Sequence, residues 1–150
     1  MANKIKMYTD GGARNNPGPA GIGVWISSQG GFTGNLDRKY SKYIGEKTNN
    51  DAEYEALIFG LKQLKKDLGK KKSKKSKVHC FLDSELVVKQ MNHEYKLKKR
   101  KIQRYFIEIW NLMLEFKLVE FEHILREKNK VADGLVNEAI DAELKQGKLL

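Results

Sequence analysis

The sequence predicts an α/β fold built on a mixed sheet, and three observations carry that expectation. Short runs in which apolar and polar residues alternate, over 4–9, 21–28 and then 32–34 with 38–45, read as an antiparallel meander of three strands. From Thr48 the apolar spacing changes to three and four, the period of a helix packed along one side. An apolar run over 78–83 follows that helix, and a strand–helix–strand crossover makes the first and fourth strands parallel neighbours or near neighbours.

Composition bounds the rest. A chain of 150 residues with 40% hydrophobic side chains is one domain, spanning 1–150, with enough material for a buried core. Its single cysteine, Cys80, excludes an internal disulfide and a cysteine-based zinc site, and its place in an apolar strand suits a small buried side chain. No apolar run reaches membrane-spanning length, and Met-Ala-Asn-Lys-Ile-Lys lacks the apolar core of a signal peptide, so a cytoplasmic protein with no membrane partner is expected. The net charge of +10 favours polyanions such as nucleic acid phosphates. Solubility alone would also account for it.

The first strand closes on Asp10, which is placed beside a turn containing both prolines, Pro17 and Pro19. That rigid connection would hold the backbone groups of Gly11, Gly12 and Asn16 in fixed directions. An ordinary hairpin is the other reading of the same residues. Gly21 and Gly23 look like part of a dinucleotide loop, but no helix follows them and that motif is set aside.

Ala52, Ala56, Leu57, Gly60, Leu61, Leu64 and Leu68 form the buried stripe of the first helix, and Thr48, Asn49, Asn50 and Asp51 offer N-cap side chains. Glu53 lies three residues after Asn50, so it is either the second half of a capping box or an acid available to a site. Lys70 to Lys77 reads as a solvated basic link. The strand over 78–83 is apolar on both faces and also ends in an acid, Asp83.

Parallel first and fourth strands bring Asp10 and Asp83 to one sheet edge, and the intervening helix begins there with Glu53. Open α/β sheets place their sites outside the carboxyl ends of the strands. Three carboxylates so close repel one another unless something positive lies between them.

Helical spacing resumes over 84–91, and the basic stretch Tyr95 to Lys101 follows. A long amphipathic helix then runs through Ile102, Phe106, Ile109, Trp110, Met113 and Phe116, with Trp110 suited to the core. Residues 118–124 read as the last strand. The final helix opens near Asn129 and buries Val131, Ala132, Leu135, Val136, Ala139 and Ile140. Asp133 in its first turns suits the helix dipole. His123 matches no metal-ligand spacing and reads as structural.

Four segments in order, Y-T-D-G-G with N-P-G-P, T-N-N-D-A-E-Y-E-A-L, F-L-D-S-E-L-V and R-E-K-N-K-V-A-D-G-L-V-N-E-A, together resemble ribonuclease HI over about residues 5–140, leaving a short C-terminal tail. The resemblance implies the ribonuclease H-like fold: a five-stranded mixed sheet, its first three strands antiparallel, with helices on both faces. It also implies a monomeric endonuclease that hydrolyses the RNA strand of an RNA–DNA hybrid and leaves 5′-phosphate and 3′-hydroxyl ends. Carried over by motif, Asp10, Glu53, Asp83 and Asp133 are both the catalytic and the metal-binding residues. An oxygen-only donor set favours two Mg²⁺ ions bound with substrate, with Mn²⁺ as a substitute.

Substrate contacts implied in the same way are Gly11, Gly12, Asn16, Asn49 and Asn50 beside the ribose 2′-hydroxyls, and Thr48 on a DNA phosphate. The chain departs from many bacterial members in three places. It has no histidine in the loop before Asp133, where Arg126 stands near the scissile phosphate instead. Glu85 occupies a position where some members carry glutamine. It lacks the long basic protrusion, part of which Lys96, Lys98, Lys99 and Arg100 would replace; a merely solvated segment is the other reading of them. A catalytically silent relative would have lost one of the four acids, and exonuclease or transposase-type cores vary the first-strand motif, so the hybrid-cleaving nuclease is the leading expectation.

Overall fold

Alternation of apolar and polar residues produces five strands: β1 (Asn3–Ala13), β2 (Gly18–Ser28), β3 (Leu36–Lys47), β4 (Ser76–Leu82) and β5 (Leu118–His123). The helices between and after them are α1 (Asn49–Leu68), α2 (Lys70–Lys74), α3 (Glu85–Met91), α4 (Arg100–Met113) and α5 (Lys130–Leu149), with one 3-10 turn at Arg126–Lys128. The computed structural model describes residues 3–149, and side chains over 4–147. Met1 and Ala2, which open the segment without a signal-peptide core, and Leu150, the end of the single-domain span, lie outside the described residues. Among the described residues no helix is long and apolar enough to cross a membrane.

The sheet order is β3-β2-β1-β4-β5. β1–β2 and β2–β3 pair antiparallel, while β1–β4 and β4–β5 pair parallel, which is the expected mixed sheet. The strand period of two then sends neighbouring residues to opposite faces. Met7 and Val24 point to the face covered by α1, where Gly60 packs on both of them, and Leu57, Leu61, Leu64 and Cys80 fill the core there. Gly21 and Gly23 point to the other face. A Cβ on Gly23 would stand 2.2 Å from the carbonyl oxygen of Ala132, so α5 lies directly on the β2 backbone.

Several elements differ from the sequence reading. β1 does not stop at Asp10: Gly11 and Gly12 stay in the ladder opposite Ile22 and Gly21, and the turn occupies 14–17. The parallel pairing with β4 ends earlier, at Tyr8 and Phe81, so Asp10 still lies beyond the carboxyl edge of that half of the sheet. Residues 32–34 are turn, and Gly30, Gly31 and Gly34 take positive φ there. The α1 cap is Thr48, whose hydroxyl accepts from the Asp51 N–H at 3.0 Å while Asp51 accepts from the Thr48 N–H at 3.4 Å. That box closes without Asn50 or Glu53.

The lysine segment is not a plain link. Lysine is a good helix former, and buried Ser73 together with the 2.7 Å bond from the Ser76 hydroxyl to the Lys72 carbonyl seats α2 before β4 begins. Trp110 is 50% exposed and not in the core, because α4 is fully buried only at Ile102 and Ile109. α4 also ends at Met113, leaving buried Phe116 beyond the helix. α5 continues as helix through the residues read as a tail.

Candidate active site

The site is assembled from four elements that end or begin at the same sheet edge. Asp10 stands on β1, and its carboxylate accepts the N–H of Gly11 at 3.0 Å. α1 crosses β1 at Gly11 so closely that a Cβ there would meet the Ala52 carbonyl oxygen at 2.1 Å, and this contact delivers Glu53 beside Asp10. The start of α1 is clasped to the turn: the Asn49 amide oxygen accepts from the Ala13 N–H at 2.8 Å, and the Asn16 amide oxygen accepts from the Asn49 N–H at 2.9 Å. Asp83 follows β4 directly. Asn129, 1% exposed, donates to the Thr9 carbonyl at 2.9 Å and to the Asp83 carboxylate at 3.4 Å, tying the entry of α5 to both strands.

Carboxylate oxygens of Asp10, Glu53 and Asp83 all lie within 4.8 Å of one another. Asp133, in the first turn of α5, lines the same cleft of 520 Å³ together with Gly11, Gly12, Asn49 and Arg126. Burial, followed by the charge of Asp83, raises the Asp10 carboxyl to about 7. Burial, then Asp10 and Asp83, pushes Glu53 well above the ordinary carboxyl range. One buried oxygen of Glu53 has no hydrogen-bond partner. A buried acceptor in that state costs free energy, and so does each pair of like charges around it.

These observations fit a hard divalent cation. Every donor is a carboxylate oxygen, one buried Glu53 oxygen has no hydrogen-bond partner among the described residues, and no histidine or cysteine joins the cluster of three. The fit has a consequence for stability. Asp10 and Glu53 have folded pKa values above their unfolded ones, so the stability they contribute is present below the unfolded value near 4 and is lost as pH rises through about 7. In chelator, the Tm should therefore fall between about pH 5 and pH 8, and Mg²⁺ should raise it more at the higher pH. Thermal melts with and without Mg²⁺ check this. A Mg²⁺ response equal at both pH values would remove the electrostatic account.

The other expected contacts divide. Gly11, Gly12, Asn49 and Arg126 line the cleft, and Arg126 approaches Asp133 at 3.7 Å with its side chain 82% exposed. Asn16 and Thr48 lie beside it, engaged with the start of α1. Asn50 is half-buried in the first turn of α1. Glu85 is exposed on α3 and paired with Lys89 at 2.8 Å. Lys96 and Lys98 border a separate hollow with Leu86, Gln90, Glu94 and Tyr95.

The sequence reading missed two residues. Asn129 was read only as a helix opening, and Arg14 not at all. Arg14 lines the cleft and is held by Asp141 at 2.6 Å and Asn137 at 3.4 Å. An asparagine just before a helix reads as a cap, and nothing local marks it as buried.

A family model described as "Reverse transcriptase-like" matches residues 8–139, a span that holds all four acids. The solved structure of LC11-RNase H1 in complex with an RNA/DNA hybrid is 49% identical, covers 93% of this chain and 99% of that one, and superposes with a TM-score of 0.84. The chain belongs to the type 1 ribonuclease H family.

RNase H1 of the halophilic archaeon Halobacterium salinarum is 33% identical, over 93% of this chain and 98% of that structure, with a TM-score of 0.80. Among curated relatives, Ribonuclease HI of Halobacterium salinarum is 34% identical over 92% of this chain and 65% of its own length. A bifunctional protein of Mycobacterium tuberculosis is 36% identical over 93% of this chain and 36% of its own length. The chain thus spans between about a third and two thirds of the length of those two curated relatives.

Proposed function

We propose that this ribonuclease H is an endonuclease that hydrolyses the RNA strand of RNA–DNA hybrids, leaving 5′-phosphate and 3′-hydroxyl ends. The observation that carries the proposal is the convergence of Asp10, Glu53 and Asp83 within 4.8 Å at the mouth of an open cleft that Asp133 also lines. The hybrid bound to LC11-RNase H1 supports the substrate class. Asp10, Glu53, Asp83 and Asp133 would hold two Mg²⁺ ions, with Mn²⁺ as a substitute, and when bound these supply an activated water and stabilise the leaving 3′ oxygen.

The remaining side chains position the hybrid. Arg126 reaches into solvent beside Asp133, where its guanidinium meets a phosphate next to the scissile bond. Asn16 and Asn49 use their amide oxygens on the backbone, which leaves their NH₂ groups to donate to ribose 2′-hydroxyls near Gly11 and Gly12. Thr48 accepts the Asp51 N–H and keeps its own O–H for a DNA phosphate. Lys96 and Lys98 serve the DNA strand, and Glu85 stands at the edge of the RNA strand. The protein works as a monomer in the cytoplasm.

The deciding assay incubates an end-labelled hybrid with Mg²⁺ or Mn²⁺, beside RNA–RNA and DNA–DNA duplexes and a chelator control. Internal cuts confined to the RNA of the hybrid, absent in chelator, are expected. Equal cutting of duplex DNA would overturn the reading. Asn50→Ala should weaken hybrid binding by about tenfold and leave duplex DNA binding unchanged, as titrations in Ca²⁺ would show. An equal loss on both would remove Asn50 from 2′-hydroxyl recognition.

A further inference from the structure

The lysine segment, which the cleavage reading does not use, meets the chain one helical turn beyond the exposed Trp110, at Leu114. Lys70, Lys71, Lys72, Lys74 and Lys75 are all exposed. The nearby acids are engaged elsewhere: Asp67 accepts from Tyr40 and Gln63, and Glu115 pairs with Lys65 at 3.2 Å. Among the described residues none of these five lysines has a carboxylate partner. Their charge is open to solvent and so to a polyanion.

α2 reaches the end of α4, where the Lys74 ammonium donates to the Leu114 carbonyl at 2.7 Å. On α4 and its C-cap, Ile107, Trp110 and Leu114 follow at spacings of three and four and are 58%, 50% and 56% exposed. The same stripe continues through Gln103 to Arg100 and carries no acid; Glu108 is turned away toward Lys62 at 2.7 Å. α4 has 14 residues and is about 21 Å long. Cations therefore stand at both ends of an apolar strip one helix wide.

We propose that this strip binds single-stranded nucleic acid, with phosphates on Lys70, Lys71, Lys72 and Lys75 and an unpaired base stacked on Trp110. A positive track beside an exposed ring is the arrangement that holds unpaired strands. A duplex keeps its bases inside and offers Trp110 nothing. A bilayer would need a broad face, and this one is the width of a single helix. The lysines precede β4 and Asp83 follows it, which separates them by about 23 Å along the strand. Binding here leaves the catalytic edge free, and it does not depend on what that edge cuts.

The test is fluorescence anisotropy of the full chain with a labelled oligothymidylate of about 12 nucleotides. Lys70→Gln, Lys71→Gln, Lys72→Gln and Lys75→Gln combined should weaken binding about tenfold or more and flatten its salt dependence. Trp110→Ala should weaken it about fivefold or more, and Trp110→Phe should restore most of the loss. Both variants alter only exposed side chains, so their melting temperatures and their rates on a short blunt hybrid should match the wild type. Oligonucleotide affinity unchanged in either variant would overturn the proposal. So would an equal Trp110→Ala loss on duplex DNA, or a loss seen only on anionic vesicles. The readout is binding, so wild-type protein that failed to cut a hybrid would leave this result intact.

Discussion

Asp10→Asn should lower kcat on an RNA–DNA hybrid by about a thousandfold or more while the hybrid still binds. Asp10 is the acid on which the others act: Asp83 and Asp133 raise its pKa by charge, and a Glu53 carboxylate oxygen lies within 4.8 Å of its own. Removing its charge takes away one of the carboxylates that would hold the cations, and several kcal/mol of transition-state stabilisation correspond to that loss of rate. The same substitution relieves the repulsion that burdens the metal-free fold, so at about pH 8 in chelator the variant should melt higher than the wild type. Opposite signs for activity and stability distinguish this outcome from simple misfolding. A variant with a tenth of wild-type activity or more would remove Asp10 from the centre of the chemistry.

Gly11→Ala should damage both the fold and the rate. The new methyl would stand 2.1 Å from the Ala52 carbonyl oxygen, 2.2 Å from its carbon and 2.6 Å from the Glu53 nitrogen. All three are backbone atoms, so no side chain can swing aside and α1 must lift from β1. Overpacking of this kind costs about 3 kcal/mol or more. Glu53 moves with the helix, and a displacement of about 1 Å at a catalytic group costs about a hundredfold in rate. Gly12→Ala is the control, since its methyl would meet only side-chain atoms at ordinary contact distance, Val136 Cγ1 at 3.7 Å and Asn49 Oδ1 at 4.0 Å. Urea melts and steady-state rates on the two variants should differ sharply, and two equal, mild effects would refute the close-approach argument.

Much of the site was legible because topology alone brings it together. Parallel β1 and β4 with α1 between them place Asp10, Glu53 and Asp83 at one edge whatever the loops do. Asp133 was different: an acid in the first turn of a helix has an ordinary reason to be there, and only the resemblance to ribonuclease HI singled it out. Gly11 and Gly12 were read as turn because glycine usually breaks a strand, yet here they extend the ladder, and the missing side chain of Gly11 admits α1. The cap of α1 could be read two ways, since Thr48 with Asp51 and Asn50 with Glu53 both satisfy the pattern; the structure uses the first and so frees Glu53 for the site. Trp110 was placed in the core because its spacing continues the apolar pattern of α4, but periodicity does not say how wide a stripe the neighbours cover. Asn129 makes its buried bond to a carbonyl 120 residues away, and no local pattern reports a partner at that distance.

α5 carries Asp133 and closes over Gly21 and Gly23. It is also the last of these elements to be synthesised. A polypeptide still held in the ribosome's exit tunnel can already expose Asp10, Glu53 and Asp83, but it lacks the fourth carboxylate and the lid over β2. Until α5 has docked, the cleft is without the carboxylate of Asp133 and β2 is without its cover at Gly21 and Gly23.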